Sequence, residues 1–162
     1  MKKRVILFSI LGSIFLLVEY VFRCISYDMN FFHPALLLMF FIGGICALLI
    51  GEMNEVVWIN NNFNIFWQSI MGMFIILIIE FISGLIVNVL LGLRVWDYSQ
   101  IPLNLYGQVC IPFAALWFAM CPLGFWIDDM LRYYIYGGRI APYTLFEIYK
   151  EFLNPFNKPF VM

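Results

Sequence analysis

The sequence predicts an all-α integral membrane protein. It reads as a bundle of about four transmembrane helices followed by a short C-terminal amphipathic helix at the cytoplasmic surface. Three observations predict this. Apolar residues make up 64% of the 162 residues and charged residues 12%, against about 45–50% and about 25% in soluble domains. A chain this short keeps roughly a third of its unfolded surface exposed when folded, so water leaves nowhere to hide the excess, whereas lipid does. The apolar residues also gather into long runs without strand-like alternation, and lipid cannot satisfy free backbone amides, so the runs must be helices.

The first span covers about 5–22, with room to extend to Ile25. It follows Lys2, Lys3 and Arg4 and so resembles a signal peptide. No small-x-small cleavage site follows, and Arg23 occupies the place before Cys24 where a lipoprotein cleavage box needs a small residue, so it is read as an uncleaved helix. The second span covers about 33–51, the third about 66–93 and the fourth about 107–127. A span needs about 20 mostly apolar residues; the first two sit near the short end and the third is long enough to tilt. Residues 1–136 then form the transmembrane domain and 137–162 a cytoplasmic interfacial tail. Gly137 and Gly138 break the chain and Pro142 opens a new helix. Over 143–153, Leu145, Phe146, Tyr149, Phe152 and Leu153 form an apolar face, opposite Glu147, Lys150 and Glu151.

Basic residues set the orientation. Lys2, Lys3, Arg4, Arg132, Arg139, Lys150 and Lys158 fall on one side, Arg23 and Arg94 on the other. Both termini are therefore expected in the cytoplasm. The loop between spans two and three has Glu52 and Glu55 and no basic residue, but acidic residues count little in this rule. Trp58, Trp67 and Trp126 fit an inner aromatic belt, and Tyr20, Trp96 and Tyr98 an outer one.

Several function classes are excluded or unsupported. The net charge is −1 with no basic block, so no nucleic-acid partner is expected. There is no GxxxxGK[ST] loop for ATP. Cys24, Cys46, Cys110 and Cys121 form no CxxC pair and lack a histidine set for zinc, so neither metal nor cofactor is expected. Cys46 and Cys121 read as small hydrophobes; Cys24 and Cys110 fall near one membrane face, where the sequence leaves open whether they pair. His33, before Pro34, reads as an interfacial residue.

Polar residues inside the spans carry the functional signal. Glu80 lies near the centre of span three, where a charge costs about 2.5 kcal/mol or more. Glu80, Gly84 and Asn88 follow at four-residue steps on one face. That pattern suits a ligand or proton site, and equally a buried pair that fixes packing. Glu19 and Arg23 stand at i,i+4 and can pair; alternatively Glu19 faces the same outer cavity. The connector from Arg94 to Gln108, with Trp96, Asp97, Tyr98, Ser99, Pro102 and Asn104, is dense in hydrogen-bonding groups. It is expected to fold back as a lid over the outer helix ends, with Arg94 and Asp97 paired. Gly43, Ala47 and Gly51 form a small-residue stripe for close helix packing, as do Gly84 and Gly92. Pro112 and Pro122 should bend span four. Asp128 and Arg132 should pair at its cytoplasmic exit.

Glu80-Phe-Ile-Ser-Gly84, Asn88, Trp96-Asp-Tyr-Ser99, Pro102, Asn104, Gly107-Gln-Val-Cys110 and Trp117 together resemble a bacterial family of type IV ABC-transporter permeases, CmpB-like membrane proteins. That family shows E-F-x-[ST]-G, then W-D-Y-S, then N-x-x-G-[QR]-[IV]-C and a following Trp. Weaker similarity reaches Gly43-Gly44 and 128–134. The resemblance implies a small bacterial cytoplasmic-membrane protein. This chain departs from the usual import permeases: it has no EAA-type coupling loop, and four helices are few for a permeation path. Transport would then need a homo-oligomer or another membrane subunit, with a separate ATPase.

Three functions compete on these residues. The first is a permease-like component with a polar site around Glu80 and Asn88 open to the outer face. The second is a structural or accessory protein whose polar residues only hold it together. The third is an enzyme on a lipid-linked substrate using Glu19, Glu80 and Asp97 as acids and bases. The third lacks a nucleophile, a metal set or a phosphate cradle, so no enzyme is expected.

Overall fold

The structure, a computed structural model, describes residues 2–26, 35–137 and 143–156. His33, Pro34, Gly138, Arg139, Pro142 and Lys158, on which parts of the sequence reading rest, lie outside the described residues. The helices are α1 (Lys2–Ser26), α2 (Ala35–Asn54), α3 (Val57–Asn62), α4 (Ile65–Gly84), α5 (Ile111–Tyr136) and α6 (Leu145–Phe152). Four of them, α1, α2, α4 with its continuation to Leu90, and α5, are long and apolar enough to cross a membrane. The protein is thus the expected all-α membrane bundle. Leu17, Val18, Leu37, Ile78, Val89 and Leu90 are exposed on those spans, as lipid-facing residues are.

The span ends differ from expectation for local reasons. Beyond Gly84 the backbone widens into a π-helical turn, Leu85–Leu90, in which the Leu91 amide reaches back five residues to the Ile86 carbonyl. Such turns cluster at functional positions. The fourth span starts at Ile111, not 107, because Val109–Cys110 (β2) pairs antiparallel with Asn104–Leu105 (β1). Pro112 therefore falls in the first turn of α5, where a missing N–H costs nothing; it opens the helix instead of bending it. α5 then continues to Tyr136. α3 has no counterpart in the sequence reading.

The chain divides into two compact units. The first comprises Met1–Leu48 and Ile78–Ile111. Its core is Met39, Val87 and Val95, packed by Phe15, Leu38, Ile42 and Trp96. Glycines let α1 and α2 touch. A Cβ on Gly12 would lie 2.7 Å from the Phe40 carbonyl oxygen, and one on Gly43 would fall 2.1 Å from the Phe15 ring. The small-residue stripe at Gly43 thus receives a ring, while the backbone approach comes from Gly12.

The second unit comprises Leu49–Leu77 and Pro112–Met162. Ile50, Ile65, Cys121, Phe125, Tyr143, Ile148 and Phe152 form its core, with Phe125 0% exposed. Pro122 lies inside α5 and deprives the Phe118 carbonyl of its usual donor; beside it, the Tyr149 hydroxyl donates to the Ala119 carbonyl at 2.9 Å. Asn64 opens α4 by accepting from the Trp67 amide, a standard N-cap role. α6 starts at a capping box, Thr144 with Glu147.

One residue of α6 departs from expectation. Ile148, Glu151 and Phe152 are buried, and the Glu151 carboxylate, expected on the solvated face, accepts from the Ile65 amide at 3.1 Å. Phe146 and Leu153, expected on the apolar face, are both 77% exposed. Glu151 meets the unpaired amides at the start of α4, where backbone donors and the helix dipole favour a carboxylate. None of the four cysteines forms a disulfide; Cys24 is exposed and Cys110 buried.

Candidate functional site

The site lies in the first unit and is built by α4, its π-helical turn and the segment 91–110. Gly92, at φ +65°, ends the helix, a left-handed conformation that glycine takes at little cost. The segment that follows contains three non-glycine residues with positive φ: Arg94, Leu103 and Tyr106. Each such residue costs roughly 1–2 kcal/mol, so the surrounding contacts must hold the segment in place. Val95 is buried, the Tyr98 amide donates to the Gly107 carbonyl at 2.8 Å, and the Ile101 amide donates to Tyr98 at 2.9 Å. Asn104 ties the turn together, donating to the Ile101 carbonyl at 2.8 Å and accepting from the Gly107 amide at 2.9 Å.

This segment closes on the polar face of α4 through three positions. The Tyr98 hydroxyl donates to Glu80 Oε1 at 3.1 Å; Glu80 is 8% exposed. Asn88 accepts from the Val95 amide at 2.7 Å and donates to Gln108 Oε1 at 2.8 Å. Gln108 is buried, and its carbonyl accepts from Trp96 Nε1 at 3.0 Å. A Cβ on Gly84 would lie 2.4 Å from Gln108 Oε1 and 3.0 Å from the Trp96 ring. Gly84 therefore makes room for the lid, not for another helix. Gly92 meets nothing within 4 Å and serves the turn alone. Trp96 is pinned through its indole N–H.

Glu19 and Arg23 pair on α1 at 2.6 Å, and Arg23 also donates to the Val95 carbonyl at 3.1 Å. The pair thus anchors the lid. Burial pushes the Tyr98 hydroxyl well above its ordinary range; the Glu80 carboxylate adds to this, and Glu19 adds less. Tyr98 is consequently a fixed proton donor aimed at Glu80. Arg94 and Asp97 make no ion pair among the described residues. Asp97 instead accepts from the Ser99 amide at 2.8 Å. That bond holds its carboxyl below the usual carboxylate range, with the Arg94 charge a weaker contributor. The sequence reading missed Gly12 as a contact glycine and Arg23 as a lid anchor. An i,i+4 partner with spare donors was the available signal for Arg23.

Residues 5–144 match the profile of a family described as "Putative ABC-transporter type IV". The chain belongs to this family. Every residue of the lid and of the Glu80 face falls inside the matched stretch, and so do Asp128 and Arg132. No curated protein and no solved structure matches the chain.

Proposed function

We propose that this member of the type IV ABC-transporter family is a membrane-embedded transport component whose polar site, around Glu80 and Asn88, opens to the outer face. It works as a homo-oligomer or beside another membrane subunit and a separate ATPase. Both termini lie in the cytoplasm of a bacterial cell, as the distribution of Lys and Arg favours. One observation carries the reading: a carboxylate within a spanning helix is met by the hydroxyl of a lid held in left-handed backbone. Intramembrane carboxyls are expensive and mark ion or substrate paths, and strained segments gather where function requires them. Glu80 with Tyr98 and Asn88 with Gln108 then form two polar pairs able to bind a polar solute, of which Glu80 can carry a proton.

The test uses proteoliposomes loaded with a pH dye under an imposed proton gradient. Glu80→Gln retains an oxygen to accept from Tyr98 but cannot carry a proton. Flux is expected to fall at least tenfold, and unchanged flux in the variant removes Glu80 from the path. A second reading, a scaffold or accessory subunit, has one observation in its favour. In the first unit no buried side-chain polar atom among the described residues lacks a partner. A wild-type chain that conducts nothing, and whose lid stays closed to water-soluble thiol reagents at an Asn88→Cys position, would support that reading.

A further inference from the structure

The second unit holds a carboxylate group that the proposed function does not use. Ligand oxygens of Glu55, Asp128 and Asp129 lie within 4.8 Å of one another. Asp128 and Asp129 are each 1% exposed. Successive residues of a helix point about 100° apart, so the two carboxylates meet different neighbours. Asp128 Oδ2 accepts from Arg132 Nε at 2.5 Å, and Asp129 Oδ2 accepts from the Tyr143 hydroxyl at 2.5 Å. The second oxygen of each, Oδ1, is buried without any hydrogen-bond partner.

Two further features describe a built site. A Cβ on Gly51 would lie 2.5 Å from the Asp128 carboxyl, so α2 carries glycine where the carboxylate must rest against it. Charge at the three carboxylates is also out of balance. Among the described residues they meet one guanidinium: Arg132 faces Asp128 and, at 3.6 Å, Glu55, while Asp129 is met by the Tyr143 hydroxyl. Ionised carboxylates only accept, and a buried acceptor left unmet is rare and costly. Tyr143 donates its hydroxyl proton to Asp129 Oδ2, and Arg132 donates to Asp128 Oδ2 and to Glu52, so neither bond reaches an Oδ1.

We propose that Glu55, Asp128 and Asp129 bind one divalent cation. The donors are all carboxylate oxygens, with neither thiolate nor imidazole, which selects hard ions of the magnesium, calcium and manganese class over zinc. Glu55, 37% exposed at its side chain, is the solvent-facing ligand and the entry path, while Asp128 and Asp129 form the buried floor. The bound ion ties the end of α2 to α5, and through Tyr143 to the approach of α6.

The full chain, purified in an uncharged detergent, is titrated with Mn²⁺ alone. The paramagnetic signal of free Mn²⁺ reports occupancy. One saturable Mn²⁺ per chain is expected, displaced by Mg²⁺ or Ca²⁺, with the melting midpoint rising by about 5 °C near saturation. Asp129→Asn should weaken binding at least tenfold. Glu55→Gln, on the exposed rim where folding is not at stake, should weaken it severalfold. Absence of saturable binding at millimolar Mn²⁺ overturns the proposal; an Asp129→Asn chain that then melts higher than wild type would identify the occupant as a proton. Binding that survives both substitutions also overturns it, as an adventitious ion only. Neither result bears on Glu80, whose role is read by proton flux.

Discussion

The two units treat buried polar groups in opposite ways. In the first, Glu80, Asn88 and Gln108 are matched by Tyr98, Trp96 and the Val95 amide, and no buried side-chain atom among the described residues is left over. In the second, Asn54, Gln68, Asp128 and Asp129 each retain a buried oxygen without a partner. For the carboxylates the difference follows from residue type. Amides and hydroxyls donate and accept within one group, so in the lid they balance one another. Carboxylates only accept, and among the described residues Asp128 and Glu55 meet one guanidinium, that of Arg132. Asn54 and Gln68 are amides, and each leaves its oxygen unmet. A closed network points to a held shape, whereas an acceptor surplus points to something that supplies positive charge.

The strongest way to break this contrast is to remove the Arg132 guanidinium. Arg132→Ala leaves Asp128 buried with neither Oδ1 nor Oδ2 paired, and removes a neighbour of Glu52 and Glu55. Breaking a buried pair from one side costs about 3–5 kcal/mol, so that loss is expected in denaturant unfolding of the detergent-solubilised chain. Adding Asp128→Asn to Arg132→Ala should recover more than half of it. Failure of the second substitution to rescue would mean that Arg132 acts through packing and not through charge.

The Asn88–Gln108 part of the first unit should respond more weakly, because it is made of neutral groups. Gln108→Ala removes the acceptor of Asn88 and orphans one half-buried donor, at about 1 kcal/mol. The effect should be confined to the lid. Hydrogen exchange at Val95, Tyr98 and Gly107 should accelerate while amides of α5 and α6 stay protected. Acceleration in both units would deny that each holds its own network.

How much of this was legible in the sequence depends on the range of the interaction. The spans were readable because lipid imposes apolar runs, and pairs at i,i+4 such as Glu19–Arg23 and Asp128–Arg132 followed from helix geometry. Glu52 and Glu55 joining Arg132 could not be read, since α2 meets α5 only in the folded chain. The Arg94–Asp97 pair failed for a backbone reason: Gly92 and Arg94 both take positive φ, and Asp97 spends its carboxylate on Ser99. The burial of Glu151 was missed because periodicity counts it as a solvated charge, although α4 offers it open amides. The lid was foreseen as a lid, but not that Gly84 exists to admit Gln108.

A smaller effect sharpens the second unit alone. Thr144→Ala removes the side chain that accepts from the Glu147 amide at 3.2 Å, and N-cap losses of this kind cost about 1 kcal/mol. The first turn of α6 should fray, with faster exchange at Glu147 and Ile148, and the Ile65 amide should lose part of its protection as Glu151 loosens. Lid amides should not change.

Acid makes the smallest and most local distinction. The Asp97 carboxyl is held below its usual range by the Ser99 amide, and Glu147 by the backbone of Thr144. A depressed carboxyl contributes above the ordinary Asp or Glu value, about 4, and its contribution fades as pH falls through the lower folded value. Between pH 7 and 5 neither turn should change; further acidification should loosen both, so acid alone does not separate the units. Asp97→Asn does. Asparagine still accepts from Ser99 but does not titrate, so the Ser99 amide resonance should lose its acid-driven shift while that of Glu147 keeps it. A Ser99 shift that persists in the variant would assign the acid response to another group, and Asp97 would be a turn former with no part in the lid's charge.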